Sequence, residues 1–205
     1  MLNSVLLYIS AAMDLQPERE VLGRAVTEIP VSLGWRIVQS PSRDEPVASE
    51  AVAGAEVHLL LLGTDIRAPV GLEWQIARRA GRWPVPFLKR DVLRTPAAQD
   101  FVRFLEGHRP HGAAAWQPFL DAADLRRQAL GLLARHLSDR ASLYALTPLE
   151  LARLEEWRTG IEAVAPAADD EIRGGAGESG ILLSRERYVP SDGVLIRPDG
   201  NADSL

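Results

Sequence analysis

The sequence predicts an α/β protein in which a parallel sheet is covered by helices on both faces. Two observations predict it. Short apolar runs of strand length alternate with longer stretches whose apolar residues recur at helical spacing. In addition, Val57 to Leu62 (VHLLLL) is apolar apart from His58, the pattern of a strand buried on both faces, as strands of parallel sheets are.

The elements follow in order. Val5 to Ile9 is the first strand. Pro17 then opens a helix with Glu18 and Glu20 in its first turn, where negative charge suits the dipole. Val21, Leu22, Ala25, Val26 and Ile29 form its apolar stripe. Gly34 precedes the second strand, Trp35 to Val38, and Glu45 to Ala53 reads as a short helix. After Val57 to Leu62, Gly63 ends the third strand. Gly71 to Ala80 reads as a helix with Gly81 as its cap, and Val85 to Leu88 as the fourth strand. Pro96 to Glu106 is helical, and Ala114 to Trp116 reads as a short fifth strand. Asp121 to Leu137 is an amphipathic helix with Leu125, Ala129, Leu132, Leu133 and Leu137 on its stripe.

Five strands in this arrangement predict a flavodoxin-like, doubly wound parallel sheet in the order 2-1-3-4-5. The first and third strands are then neighbours at the topological switch point, where ligands of open α/β sheets bind. Three segments meet there: Ser10 to Asp14, Gly63-Thr64-Asp65, and Gly71-Leu72-Glu73.

Residues 1–140 make up this domain. The rest is chain of another kind. Thr147-Pro148-Leu149-Glu150 has the form of a capping box and starts a helix within 141–163, with Leu154, Trp157 and Ile161 on one stripe. Residues 164–180, rich in Ala, Gly and acidic residues, read as a linker. Residues 181–205 read as a hairpin and tail, with Ile181 to Val189 and Val194 to Ile196 as strands around the turn Pro190 to Gly193. Residues 1–140 carry a net charge of +1 and residues 141–205 a net charge of −6. An acidic helix and a lone hairpin cannot build a core of their own, so the arm must bury its apolar residues either on the α/β domain, by folding back, or on another chain. The expectation is that it docks a protein partner or a second copy, with Leu154, Trp157 and Ile161 as the contact.

Composition excludes several classes. With 205 residues, 46% hydrophobic and 25% charged, the chain is neither wholly disordered nor too small for a core. No apolar run approaches the roughly 20 residues of a membrane span. Met1 to Met13 has no basic cluster ahead of its apolar stretch and does not read as a signal peptide. The absence of cysteine excludes disulfides and thiolate chemistry and makes a cytoplasmic location the expectation. A pI of 5.4 without a basic tail argues against general nucleic-acid binding. No P-loop, dinucleotide fingerprint or Ser-His-Asp arrangement is present, so no cofactor is called for.

Among residues that could carry chemistry, Glu73 stands early in its predicted helix, where the dipole keeps a carboxylate ionised. It reads either as a charge that suits the helix or as a nucleophile in the cleft. Asp14 reads as a helix cap or a ligand contact. Ser10, Gly63, Thr64 and Asp65 offer hydroxyls, a carboxylate and backbone N–H groups to a ligand. Glu18 and Arg19 read as a solvated helix start, and His58 as a core histidine. Arg78, Arg79, Arg82, Lys89, Arg90 and Arg94 read either as a solvated helix face or as a site for an anion or an acidic partner. His108 and His111 lack a third ligand, so no metal site is expected.

The stretch Tyr8 to Arg19 (YISAAMDLQPER) resembles the opening F-[IV]-S-S-T-x-x-D-L-x-x-E-R of an uncharacterised bacterial family, itself similar to Toll/interleukin-1 receptor (TIR) domains and nucleoside deoxyribosyltransferases. The likeness continues through Leu60 to Gly63, Pro69 to Ala77 and Trp83 to Lys89, and covers roughly residues 3–138. It implies the same flavodoxin-like fold and a place in signalling, defence or multi-subunit assemblies. It also implies a nucleotide-like ligand and, through Glu73, action at the sugar carbon of an N-glycosidic bond. Ala11 and Ala12 stand where the motif has Ser and Thr. Two readings therefore stay open, an N-glycosidase or deoxyribosyltransferase-like enzyme and a non-catalytic interaction subunit with a degenerate site.

Overall fold

A computed structural model describes residues 4–41 and 45–163. The chain divides into Met1–Pro166 and Ala167–Leu205, and the predicted linker and hairpin lie outside the described residues. Five parallel strands form the sheet: β1 (Ser4–Ala11), β2 (Gly34–Gln39), β3 (Val57–Leu62), β4 (Val85–Lys89) and β5 (Gln117–Phe119). Their order is β2-β1-β3-β4-β5, the predicted one. The helices are α1 (Gln16–Ala25), α2 (Ser49–Gly54), α3 (Ala68–Arg79), α4 (Pro96–Gly107), α5 (Ala122–Asp139), α6 (Ala141–Tyr144) and α7 (Pro148–Ala163).

Alternation along the strands sorts side chains to two faces. Val5, Leu7 and Ile9 of β1, with Leu59 and Leu61 of β3, join the main core against α1 and α5. Tyr8 of β1 packs with Val52 and Ala77 from α2 and α3, and Leu60 of β3 packs with Val70 and Leu105 from α3 and α4. Every residue of β3 is buried, as its unbroken apolar run predicts. On α1, Leu22 and Ala25 are buried and Val21 is half-buried, while Val26 and Ile29 continue the stripe through a 3₁₀ turn. Asp121 caps α5 by accepting the Asp124 N–H at 2.8 Å.

Three boundaries differ from expectation. Helix α3 begins at Ala68 rather than Gly71, because Pro69 supplies the fixed φ of a first turn. Helix α2 begins at Ser49 rather than Glu45, because Pro46 disfavours helical backbone at Glu45. The fifth strand is Gln117–Phe119 rather than Ala114 to Trp116. Phe119 takes the fully buried position opposite Lys89, and Pro118 is tolerated because β5 is an edge strand.

Residues 141–163 form two helices, broken at Ala145, whose φ of 52° is left-handed. The capping box is present: Glu150 accepts from the Thr147 N–H at 2.9 Å, and Thr147 Oγ1 accepts from the Glu150 N–H at 3.2 Å. Helix α7 lies along α5. Its Leu154 is fully buried in the main core, and Trp157 and Ile161 pack partly on the same core. The expectation that these three form an interaction stripe is corrected for Leu154, which has no surface to offer. The α/β domain itself supplies the apolar face that the helix needs. Among the described residues, no helix is long and apolar enough to cross a membrane.

Candidate functional site

The carboxyl ends of β1 and β3 carry two polar layers. The outer layer ties loops together. Asp14 Oδ2 accepts from Thr64 N at 2.8 Å and from Thr64 Oγ1 at 2.6 Å, joining the loops after β1 and β3. Thr64 O accepts from Thr95 N at 2.8 Å, and Asp65 Oδ1 accepts from Thr95 Oγ1 at 2.7 Å, adding the loop after β4. Gly63 lets the Asp14 carboxylate approach the chain. A Cβ there would overlap Asp14 Oδ2 and lie 3.1 Å from Leu15 Cδ2. Asp14 does not cap α1, whose N-terminal residue Leu15 has no side-chain cap. Its acceptor lone pairs are used across the loops instead.

The inner layer is buried. Glu73 has no exposed surface, and Tyr8, Ser10, Ser40 and His58 around it are buried as well. Tyr8 Oη donates to Glu73 Oε1 at 2.8 Å, and Ser40 Oγ donates to Glu73 Oε2 at 2.7 Å. Ser40 Oγ also accepts the Ala11 N–H at 3.0 Å. Ser10 Oγ is 2.7 Å from His58 Nε2. The His58 ring stands edge-on to Tyr8, with centroids 5.2 Å apart.

Burial pushes the Glu73 carboxyl above the usual carboxylate range, while the Ser10, Ser40 and Tyr8 hydroxyls and the Arg19 charge pull it back down. Burial, then the nearby Glu73 charge, raises the Tyr8 phenol. Burial alone lowers His58 to about 3, so its imidazole is neutral. The expected role of the helix dipole is thus corrected. Because α3 starts at Ala68, Glu73 lies beyond the first turn, and desolvation is its largest influence.

Glu18 and Arg19 are buried rather than solvated. Arg19 Nη2 donates to the Ser40 carbonyl at 2.9 Å and to Gln39 Oε1 at 3.2 Å, which closes the cluster from the α1 side. Glu18 Oε1 pairs with Lys89 Nζ at 2.6 Å. Of the other basic residues, Arg78, Arg79, Arg82 and Arg90 are exposed, as a solvated face requires, and Lys89 and Arg94 are half-buried. Arg78 stacks on Trp83 at 4.6 Å, Arg82 donates to the Ala53 carbonyl, and Arg94 donates to the Lys89 carbonyl.

A cavity of about 340 Å³ opens above the cluster, lined by Ala11, Ala12, Met13, Pro41, Arg67, Pro69 and Val70. Of the residues expected to bind a ligand, none is in that lining. Ser10 faces His58, and Asp14, Thr64 and Asp65 are bonded within the outer layer. Sequence reasoning missed Tyr8, Ser40 and Arg19 as partners of Glu73. His58 was the visible signal, a polar residue inside an otherwise apolar strand, whereas nothing in the sequence marks Ser40. Among the described residues, no three His, Asp or Glu side chains are grouped to hold a metal. Compared with family models and with curated proteins, the chain matches none.

Proposed function

We propose that this chain is a ligand-binding module of a signalling, defence or multi-subunit assembly. Its switch-point cavity takes a nucleoside- or nucleotide-like molecule, and Glu73 acts at that ligand's N-glycosidic bond. One observation carries the reading. Glu73 is a fully buried carboxylate met by Tyr8 and Ser40 hydroxyls, on the helix whose first turn supplies Pro69 and Val70 to the cavity wall. Burying a carboxylate away from water costs several kcal/mol. Such groups concentrate where their charge is used. The reaction class comes from the resemblance of Tyr8 to Arg19 and of Pro69 to Ala77. In it the carboxylate meets the sugar carbon as the C–N bond breaks and the base leaves with the bonding pair. Water or a second base then bonds to that carbon and gives up a proton, which a nucleobase leaving group takes up and nicotinamide, leaving from a cationic ring, does not need. Contact requires the layer between the cavity and Glu73 to open.

A second reading rests on a different observation. Both Glu73 oxygens already have partners, and the cavity wall at Ala11 and Ala12 carries no hydroxyl. In that reading the cluster is a buried cross-link among β1, β2, β3 and α3, and the cavity binds without chemistry. Full-length protein incubated with nicotinamide adenine dinucleotide and with nucleosides decides between them. Release of free base by wild type and its loss in Glu73→Gln support catalysis. Saturable binding by calorimetry without base release supports the second reading. Neither binding nor release overturns both.

A further inference from the structure

The switch-point cavity is apolar on all of its described sides but one. Ala11 and Ala12 close it from the end of β1, Pro41 from just after β2, and Pro69 and Val70 from the first turn of α3. Such walls suit the flat body of a base. Among the described residues of the lining, Arg67 alone carries a charge, and none is a carboxylate.

Arg19, Arg78, Arg82 and Arg94 are each committed to a carbonyl or an indole ring. Arg67 is not. Its side chain is exposed, and among the described residues its guanidinium has one ion-pair partner. That partner is Asp65, whose Oδ2 lies 3.7 Å from Arg67 Nε, beyond hydrogen-bond distance. Asp65 is itself fixed by other bonds: its Oδ1 accepts from the Thr95 hydroxyl at 2.7 Å and from the Ile66 N–H at 2.9 Å. The carboxylate therefore restrains Arg67 through Nε and leaves its two Nη groups without an acceptor. A guanidinium edge of this kind takes two oxygens of one phosphate.

We propose that Arg67 is a specificity-determining residue that reads a phosphate monoester, so that the cavity takes a nucleoside 5′-monophosphate in preference to a free nucleoside. The inference rests on the reading of the cavity as a nucleoside or nucleotide site and names the member of that class. The base lies on the apolar wall, and the phosphate meets the Arg67 Nη groups at the rim. Arg67 immediately precedes α3, and Glu73 stands further along that helix, roughly 9 Å down its axis. Phosphate and glycosidic carbon are likewise separated by part of the sugar. Binding at the phosphate, remote from the reacting bond, then orients the sugar.

Calorimetry on the full chain tests this with adenosine, guanosine, cytidine and uridine, each against its 5′-monophosphate. At least one monophosphate should bind wild type on the order of tenfold to a hundredfold more tightly than its nucleoside. In Arg67→Gln the two should bind alike, and in Arg67→Glu the nucleoside should bind more tightly. Equal affinities in wild type overturn the proposal, and that comparison needs no variant. A phosphate preference that persists in either variant also overturns it, and so does the absence of binding by every compound. Release of base from a nucleoside without a phosphate preference sinks this inference and keeps the functional reading. Monophosphate binding through Arg67 without base release keeps this inference and removes the catalytic reading.

Discussion

Tyr8 and Glu73 lie 65 positions apart and meet through a 2.8 Å hydrogen bond from the phenol to Oε1. The bond crosses from β1 to α3 on the face of the sheet away from α1 and α5, where both side chains are buried. It makes the charge of one carboxylate a property of the fold.

The pH dependence of stability follows from that burial. A carboxyl raised above its unfolded value binds more protons in the folded state, so its favourable contribution is present below the ordinary Glu range near pH 4.3 and is lost as pH rises through the raised native value. Glu73→Gln lacks this slope. Urea unfolding from pH 4.5 to pH 8 should show wild type losing stability relative to Glu73→Gln as pH rises. A constant difference would show that Glu73 is not raised. Glu73→Ala should cost about 2–3 kcal/mol, because it leaves the Tyr8 and Ser40 hydroxyls buried without an acceptor.

His58 works in the opposite direction. Its imidazole is held neutral in the fold to about pH 3 and titrates near 6.5 when unfolded. The folded state therefore binds fewer protons between those values, and the contribution of His58 is present above pH 6.5 and lost as pH falls. By pH 5 the loss should reach about 2 kcal/mol. His58→Gln, which does not titrate, should lose that much less between pH 7 and pH 5 in urea midpoints.

Gly63 should not accept a side chain. Alanine there meets the Asp14 carboxylate and the Leu15 side chain, which must shift. Gly63→Ala should cost about 1–3 kcal/mol in unfolding free energy. Much of that cost is the displacement of Asp14 from Thr64. In an Asp14→Ala background the same change should therefore cost less, and strict additivity of the two would show that they do not compete.

Leu154 tests where α7 belongs. Its side chain is fully buried in the core of its own domain. Leu154→Ala should lower stability by about 2–5 kcal/mol. The melting midpoints of wild type and variant should not change with protein concentration. A strong concentration dependence, removed by the variant, would return Leu154 to an interface.

Much of the fold was legible because apolar runs report burial directly. Val57 to Leu62 needs no partner to be identified as a central strand, and its neighbours follow from right-handed crossovers between short alternating elements. The Thr147–Glu150 box was equally legible, because both partners lie within one turn. The acid–base layer was not. Glu18 and Arg19 read as solvated because periodicity assigns a residue to a helix face without saying which strand ends approach it, and here Lys89 and Ser40 do. Glu73 read as a first-turn charge because its depth depends on where α3 meets β1 and β3. Sequence by itself determined four of the five strands, the main helices and the order in which the strands pair. It did not determine the edge strand Gln117–Phe119, whose short, proline-containing run carries little apolar signal. Only the tertiary structure decided which polar side chains lose their water, since desolvation is imposed by groups distant in the chain, and that loss is what gives Glu73 and His58 their chemistry.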